Sequence, residues 1–220
     1  MKALLLVGSP RLEKSASETL GGYLLEQLAV RGAETDKHYI YPALKSGEKL
    51  DALISAVARA DLVILAAPLY VDSPPAAVVR FLETLARRLG EYERPDEQQF
   101  LAISNCGFPE AHHNEVALAI YRRFAHETGF DWAGGMALGA GEAIKGRPLV
   151  ESGGMARNVI AAFDMAAVAL IEGKPVPQEA QNLIAQPLMP AWLYRIMGNL
   201  GWYMQAREHG TLRKLRTRVL

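Results

Sequence analysis

Hydroxyl groups and one guanidinium group cluster near the start of the chain, where they could bind an anion. They follow a short apolar run from Ala3 to Val7, and a helical pattern comes after them. The residues are Gly8, Ser9, Pro10, Arg11, Ser15, Ala16 and Ser17. A helix N-terminus presents free backbone N–H groups and the positive end of its dipole to a phosphate. The order strand, loop, helix therefore predicts a phosphate site, with the alternative that Ser15 or Ser17 merely caps the helix.

The spacing of residues within this loop indicates which kind of phosphate ligand it could bind. The loop lacks both the G-x-x-x-x-G-K-[ST] spacing of a P-loop and the G-x-G-x-x-G spacing of a dinucleotide fingerprint. Gly8 lets the backbone turn closely beneath a bound group. A single phosphate monoester therefore fits this loop better than a pyrophosphate.

A second loop of unusual composition places an aromatic residue between prolines. It contains Pro68, Leu69, Tyr70, Val71 and Asp72, and Ser73-Pro74-Pro75 follows directly. Such rigid backbone could hold a flat ring through main-chain groups, with Tyr70 as a wall. The alternative is that the prolines only begin the next helix. Three prolines in eight residues are more than a helix start requires.

A third loop, Asn105 to Phe108, also follows an apolar run. Its Gly107 permits close backbone approach, and Phe108 could stack on a ring. A lone cysteine such as Cys106 is more often a small buried residue than a nucleophile. The neighbouring His112-His113 leaves a Cys–His pair open as an alternative. The sequence offers no acid–base residue with an identifiable partner, and no metal site is expected.

Strand and helix patterns alternate along the chain and place these three loops. The strand patterns cover residues 2–7, 34–40, 61–67, 100–104 and 131–139, and the last helical pattern covers 150–172. Such alternation predicts a doubly wound α/β fold with a five-stranded parallel sheet. Ligands of these sheets bind outside the carboxyl ends of the strands, at the switch in strand order. All three loops are expected at that edge.

The composition indicates one soluble domain with an extension. Of the 220 residues, 24 are Lys or Arg and 24 are Asp or Glu, so no net field favours nucleic acid or an anionic membrane. The single cysteine fits a reducing compartment. The first strand begins directly after Met1, and the apolar stretch 161–171 is too short to span a membrane. We expect a cytoplasmic protein with a domain at 1–176 and an extension at 177–220.

The loop residues resemble a known family. Gly8-Ser9-Pro10-Arg11 with Ser15 and Ser17 resembles the FMN-phosphate loop of flavodoxin-like NAD(P)H-dependent FMN reductases and related flavodoxin-family oxidoreductases. Pro68-Leu69-Tyr70 resembles the second flavin loop of this family, and Asn105-Cys106-Gly107 lies where the third would fall. The resemblance covers roughly residues 1–172. Family members commonly have Asn where this chain has Ala16, a departure that bears on FMN affinity.

The resemblance implies a flavodoxin-like fold and a non-covalently bound FMN. The phosphate would bind at Ser9, Arg11, Ser15 and Ser17. The isoalloxazine ring would lie between the 68–73 loop and the 105–108 loop. NAD(P)H would reduce the flavin, which would pass electrons to a small acceptor such as a quinone or a free flavin. A flavodoxin-like electron carrier serving a protein partner and a non-flavin phosphate-binding protein remain alternatives.

The segment after Pro177 concentrates aromatic residues and methionines, followed by a basic end. Four residues fall near helical spacing, namely Trp192, Ile196, Asn199 and Tyr203. The basic residues are Arg207, Arg213, Lys214, Arg216 and Arg218. The leading interpretation is a helix packed on the sheet domain. A homodimer or higher homo-oligomer interface is close behind, because Trp, Tyr, Met and Arg are enriched in interface cores. A membrane-surface helix is less favoured, and nucleic-acid binding least.

Overall fold

Five parallel strands form a single sheet in the order β2-β1-β3-β4-β5. The structure is a computed structural model that describes residues 1–144 and 146–215. Lys145 and residues 216–220, including the predicted basic residues Arg216 and Arg218, lie outside the described residues. The strands are β1 (Lys2–Val7), β2 (Glu34–Tyr39), β3 (Leu62–Pro68), β4 (Gln99–Asn105) and β5 (Asp131–Leu138). The fold is flavodoxin-like, as predicted.

The central strands read as continuous apolar runs because both faces of the sheet are covered. Side chains of a strand alternate between the faces. Leu5 and Val7 of β1 therefore join one buried cluster, while Leu4 and Leu6 join the cluster on the opposite face. The more polar β2 lies at an edge of the sheet.

Helices cover both faces of the sheet. One face carries α1 (Ala16–Val30), α6 (Arg157–Ile171) and α7 (Gln178–Ile184), whose buried side chains share the cluster with Leu5. The buried side chains of α2 (Ile40–Ala43), α3 (Gly47–Ala58), α4 (Ala76–Arg88) and α5 (Glu115–Glu127) share the cluster with Leu4. The N-terminus of α1 lies at the carboxyl edge of the sheet, directly after the loop that follows β1.

A 3-10 segment, Leu149–Ala156, leads directly into α6, and the backbone kinks at Gly153 within that segment. Together they span 23 residues, Leu149–Ile171, and an 18-residue window within them has a mean hydropathy of 1.5, enough by length and composition to cross a membrane. A single helix of this kind only weakly indicates a span, because core helices of soluble proteins share the property. In this chain Phe163, Ala166 and Leu170 are fully buried in the core that α6 forms with the sheet.

The two helices after Pro177 differ in how they pack on the rest of the protein. Helix α7 packs on the core, where Ala180 and Ile184 are fully buried. Helix α8 (Ala191–Glu208) does not follow the leading expectation of a packed helix, since Ala206 is its one buried residue. The domain division at residue 176 stays a prediction.

Candidate functional site

The three loops predicted to carry the site meet at the carboxyl edge of the sheet. Strand β1 lies between β2 and β3, so the strand order reverses beside β1, and this is where open α/β sheets bind ligands. The first loop follows Val7, the second follows Pro68 and the third follows Asn105. The loops are also joined directly, because the Leu69 backbone N–H donates to the Asn105 carbonyl at 2.8 Å.

Gly8 is required where the first loop leaves β1. A Cβ atom there would lie 2.7 Å from Val78 Cγ2 and 2.9 Å from the Ala67 Cβ, closer than side chains approach. The glycine thus lets the loop pass directly over β3 and the start of α4.

The N-terminus of α1 forms a polar cradle with Ser9, Ser15 and Ser17. All three serines are buried, at 2, 3 and 1% exposure respectively. Ser15 is the N-cap, and its Oγ accepts from the Glu18 backbone N–H at 3.1 Å. The capping alternative is therefore confirmed for Ser15, although a cap does not preclude an anion at the same helix end.

Ser17 has a different role, since its Oγ accepts a 2.8 Å hydrogen bond from Asn105 Nδ2. This bond ties the first loop to the third. Among the described residues, no hydrogen bond uses the backbone N–H groups of Ala16 and Ser17, which are orphan donors of the first helical turn. A small cavity of about 60 Å³ opens beside them, and Pro68, Tyr70 and Asn105 also line it. The cradle therefore presents donors to a space of limited size.

Arg11 is engaged by a carboxylate that the sequence did not indicate. Its Nη1 lies 2.6 Å from Glu142 Oε1, and both side chains are about half exposed. Both residues line the small cavity. Arg11, which the sequence predicts to bind the phosphate, therefore already has an ion-pair partner, and that partner is 131 residues away in sequence.

The second loop is a tight turn held by its own backbone. Tyr70 and Ser73 exchange N–H···O bonds of 2.8 and 3.2 Å. Val71 and Asp72 adopt positive φ angles of 49° and 61°, which is uncommon for residues other than glycine. The turn projects Val71 almost entirely into solvent and leaves Tyr70 partly exposed beside the small cavity. Strained, exposed backbone at this edge is typical of a ligand-binding loop.

The third loop buries its cysteine. Cys106 Sγ contacts the carbonyl oxygens of Phe108 and Glu110 and the Nδ2 of Asn114, at 3.4 to 3.6 Å. Burial raises the pKa of this thiol, so it is neutral near pH 7. His113 packs instead on the Phe108 ring, with centroids 4.4 Å apart. Cys106 thus has the environment of a buried structural residue and not of a Cys–His nucleophile.

Helix α8 approaches the same edge from outside. Tyr194 Oη donates to the Gly107 carbonyl at 2.9 Å. Burial and the nearby Glu142 charge raise the pKa of Tyr194. A second cavity of about 580 Å³ lies between α8 and the loops, and Arg11 and Glu142 line it too. Sequence reasoning missed Glu142 and Tyr194. The available signal for Glu142 was its position just after β5, a fourth strand end.

Within residues 1–144 and 146–215, no three His, Cys, Asp or Glu side chains gather as a metal site would require. The polar groups at the edge include buried hydroxyls, backbone N–H groups and the Arg11–Glu142 ion pair.

Fold and site together define a flavodoxin-like α/β protein whose buried serines and orphan N–H groups meet at the switch point of its sheet. The family model for NADPH-dependent FMN reductase matches residues 1–113, which include all three loops. The chain belongs to the NADPH-dependent FMN reductase family and is an oxidoreductase that uses FMN and NAD(P)H. No curated protein sequence matches the chain.

Solved structures share the fold at low sequence identity. An apo NADH:FMN oxidoreductase is 17% identical, with a TM-score of 0.55 over 86% of this chain and 96% of its own. The Trp repressor binding protein of Bacillus subtilis is 14% identical, with a TM-score of 0.55 over 74% and 96%. An FMN-dependent NADH-azoreductase of Bacillus anthracis in complex with FMN is 12% identical, with a TM-score of 0.53 over 78% and 100%. At these identities the likeness is one of fold.

The residues at the cradle fit the phosphate of FMN. Orphan N–H groups at Ala16 and Ser17 point to an acceptor from outside the protein, and the serine hydroxyls around them are buried. Ala16 stands where family members commonly have Asn, but its backbone N–H remains available. The Glu142 carboxylate would repel a phosphate, and its ion pair with Arg11 offsets that charge.

Proposed function

We propose that the chain passes electrons from NAD(P)H through bound FMN to a small acceptor such as a quinone or a free flavin. The observation that carries the proposal is the cradle of buried serines and orphan N–H groups at the N-terminus of α1. Its place at the switch point, beside two further loops, supports a mononucleotide whose ring extends along the sheet edge.

The cofactor would bind through both backbone and side chains. Its phosphate would accept from the N–H groups of Ala16 and Ser17 and from the Ser9 and Ser17 hydroxyls, because the Ser15 hydroxyl already donates to the Leu12 carbonyl. Arg11 would supply positive charge. The ring would lie against the second and third loops. The residues assigned to the flavin are Ser9, Arg11, Ser15, Ser17, Pro68, Leu69, Tyr70, Val71, Asp72, Asn105, Cys106, Gly107 and Phe108.

The flavin supplies the redox chemistry, and the protein positions the reactants. NAD(P)H gives up a hydride, which is two electrons and one proton, and becomes NAD(P)⁺. The acceptor takes up two electrons and, with a second proton from water, two protons. This reaction needs no nucleophile from the protein, which agrees with the buried, neutral Cys106 thiol at the carboxyl edge of the sheet.

The test is a visible spectrum of the purified protein followed by anaerobic addition of NADPH. We expect flavin absorbance that bleaches with NADPH and returns when 2-methyl-1,4-naphthoquinone is added, without any protein partner. A flavin that NADPH leaves oxidised would favour the electron-carrier alternative. A colourless protein that takes up no added FMN would refute the proposal.

We further propose that two copies of the chain associate through the outer face of α8. Ile196, Leu200, Tyr203 and Met204 fall at helical spacing and are 48 to 63% exposed. A row of large apolar side chains facing solvent is typical of an interaction surface. Light scattering after size exclusion should give a dimer for the wild type and a monomer for Leu200→Glu. A wild-type monomer at tens of micromolar would contradict this.

The location we propose is the cytoplasm. The chain has one cysteine, and that cysteine is buried as a free thiol, a usage that fits a reducing compartment.

A further inference from the structure

Helix α8 is held beside the flavin loops although it hardly packs on the core. Of its 18 residues only Ala206 is buried. A hydrogen bond from Tyr194 to the Gly107 carbonyl ties it to the edge of the sheet. Burial in the core therefore contributes little to the position of α8, where residues such as Leu193 are only half-buried.

Between α8 and the loops lies a cavity of about 580 Å³. This volume falls within the range of about 300 to 1,000 Å³ typical of small-molecule sites. Gly107 and Glu142 line it from the loop side, and Tyr194, Gly198, Gly201 and Trp202 line it from α8. The cavity shares Arg11 and Glu142 with the phosphate cradle, so the two spaces adjoin.

Two glycines on the cavity side keep the space open. A glycine inside a helix costs about 1 kcal/mol relative to alanine. A Cβ atom built on Gly198 or Gly201 would meet no other atom within 4 Å, so close packing does not require either glycine. Both glycines instead leave α8 without side chains at the positions where side chains would enter the cavity.

The remaining walls indicate the chemistry of the occupant. Trp202 and Tyr194 offer aromatic surface, and Met189 and Met197 add polarisable apolar surface. The charged residues among those lining the cavity are Arg11 and Glu142, which pair with each other at 2.6 Å. Opposite charges in contact leave little net field, which favours a ligand without charge.

We propose that α8 forms one wall of the acceptor site, and that the cavity under Gly198 and Gly201 takes a neutral, flat aromatic acceptor, with Trp202 as a stacking surface. This inference rests on the proposed function and assigns its acceptor subsite to residues 189–205. The residues lie outside the part of the chain that the family model matches, so the selectivity would belong to this chain and not to the family as a whole.

The decisive variant is Gly201→Leu in the full-length, FMN-loaded protein. Leucine is a good helix former, so the helix should gain stability while the side chain fills the cavity. We expect the KM for 2-methyl-1,4-naphthoquinone to rise at least about tenfold, corresponding to about 1.4 kcal/mol. The rate of anaerobic reduction by NADPH and the FMN affinity should stay within about twofold of wild type. An unchanged KM in a folded variant would overturn the proposal.

Binding can be read independently of turnover. Titration with the same quinone should quench a saturable part of the tryptophan emission, and Trp202→Phe should remove that part. Trp192→Phe is the matched control on the same helix, because Trp192 does not line the cavity and is 60% exposed. Saturable quenching that survives in Trp202→Phe would overturn the proposal.

Charge selectivity and the proposed function are tested separately. A sulfonated naphthoquinone should bind at least about tenfold more weakly than the neutral one, and equal binding would count against a neutral site.

The fluorescence titration tests ligand binding in the cavity even in protein that NADPH does not reduce. A failure of NADPH reduction therefore refutes the proposed function alone.

Discussion

The Tyr194 hydroxyl donates a 2.9 Å hydrogen bond to the carbonyl of Gly107, and this bond joins the last long helix of the chain to the third loop of the site. Tyr194 and Gly107 are 87 residues apart in sequence. The bond fixes the distance between the two walls of the larger cavity.

Replacing Tyr194 with phenylalanine should weaken the docking of α8 without weakening FMN binding at the cradle. A hydrogen bond of this kind contributes about 0.5 to 1.5 kcal/mol, so the equilibrium constant for docking of α8 should fall by roughly twofold to tenfold. Trypsin should then cut the exposed Arg195 faster in the variant than in the wild type. FMN affinity serves as the control and should not change. Equal cleavage rates would mean that another contact holds α8.

Replacing Glu142 with glutamine should release Arg11 toward a bound phosphate. Exposed ion pairs contribute about 0.2 to 1 kcal/mol, so FMN affinity should increase by up to about fivefold. Arg11→Gln should lower it by a similar factor. Fluorescence titration of the apoprotein with FMN measures both. Weaker binding in Glu142→Gln would show that the carboxylate positions Arg11 instead of competing for it.

Alanine substitutions at two adjacent glycines of α1 should change the free energy of unfolding in opposite directions. A Cβ on Gly21 would lie 2.5 Å from Leu5 Cδ1 and 3.1 Å from the Ala66 Cβ, so Gly21→Ala should destabilise the fold by about 1 to 3 kcal/mol. At Gly22 the nearest atom is Glu18 Oε1 at 3.4 Å, an ordinary contact. Gly22→Ala should therefore stabilise by about 0.5 to 1 kcal/mol. Urea unfolding measures the free energy of unfolding of both variants. Changes of the same sign in the two variants would contradict the packing of α1 on the sheet.

The Cys106 thiol should react slowly with 5,5′-dithiobis(2-nitrobenzoate) at pH 8. Burial raises its pKa above the ordinary value of about 8.5, so the folded protein holds the proton where an unfolded chain begins to release it. The contribution of this group to stability is thus present below pH 8.5 and decreases as the pH rises further. We expect the native reaction to be at least about tenfold slower than in denaturant. Rapid native modification would reopen the nucleophile alternative.

The sheet and the first loop could be predicted because local signals decide them. The apolar run from Ala3 to Val7 has to be buried on both faces, and a serine before a helical pattern is a preferred cap. The structure has β1 at residues 2–7 and Ser15 as the N-cap of α1. The switch point then follows from the alternation of strands and helices.

The outer half of the site could not be predicted because its contacts are distant in sequence. Nothing near Arg11 indicates Glu142, and the distance between them in the chain is 131 residues. Helix α8 has apolar residues on both the cavity side, with Trp202, and the outer side, with Leu200. The apolar pattern therefore indicates a helix without showing which face meets the core.

The central claim is that the cradle at the N-terminus of α1 binds the phosphate of FMN, and a comparison of FMN with riboflavin tests it most directly. The two ligands share the ring and the ribityl chain and differ only in the phosphate. Anion binding at a partly buried helix N-terminus contributes up to about 2 kcal/mol, and buried hydroxyl donors add to it. Titration of the apoprotein should give a Kd for FMN at least about 30-fold below that for riboflavin. Equal dissociation constants would contradict the account.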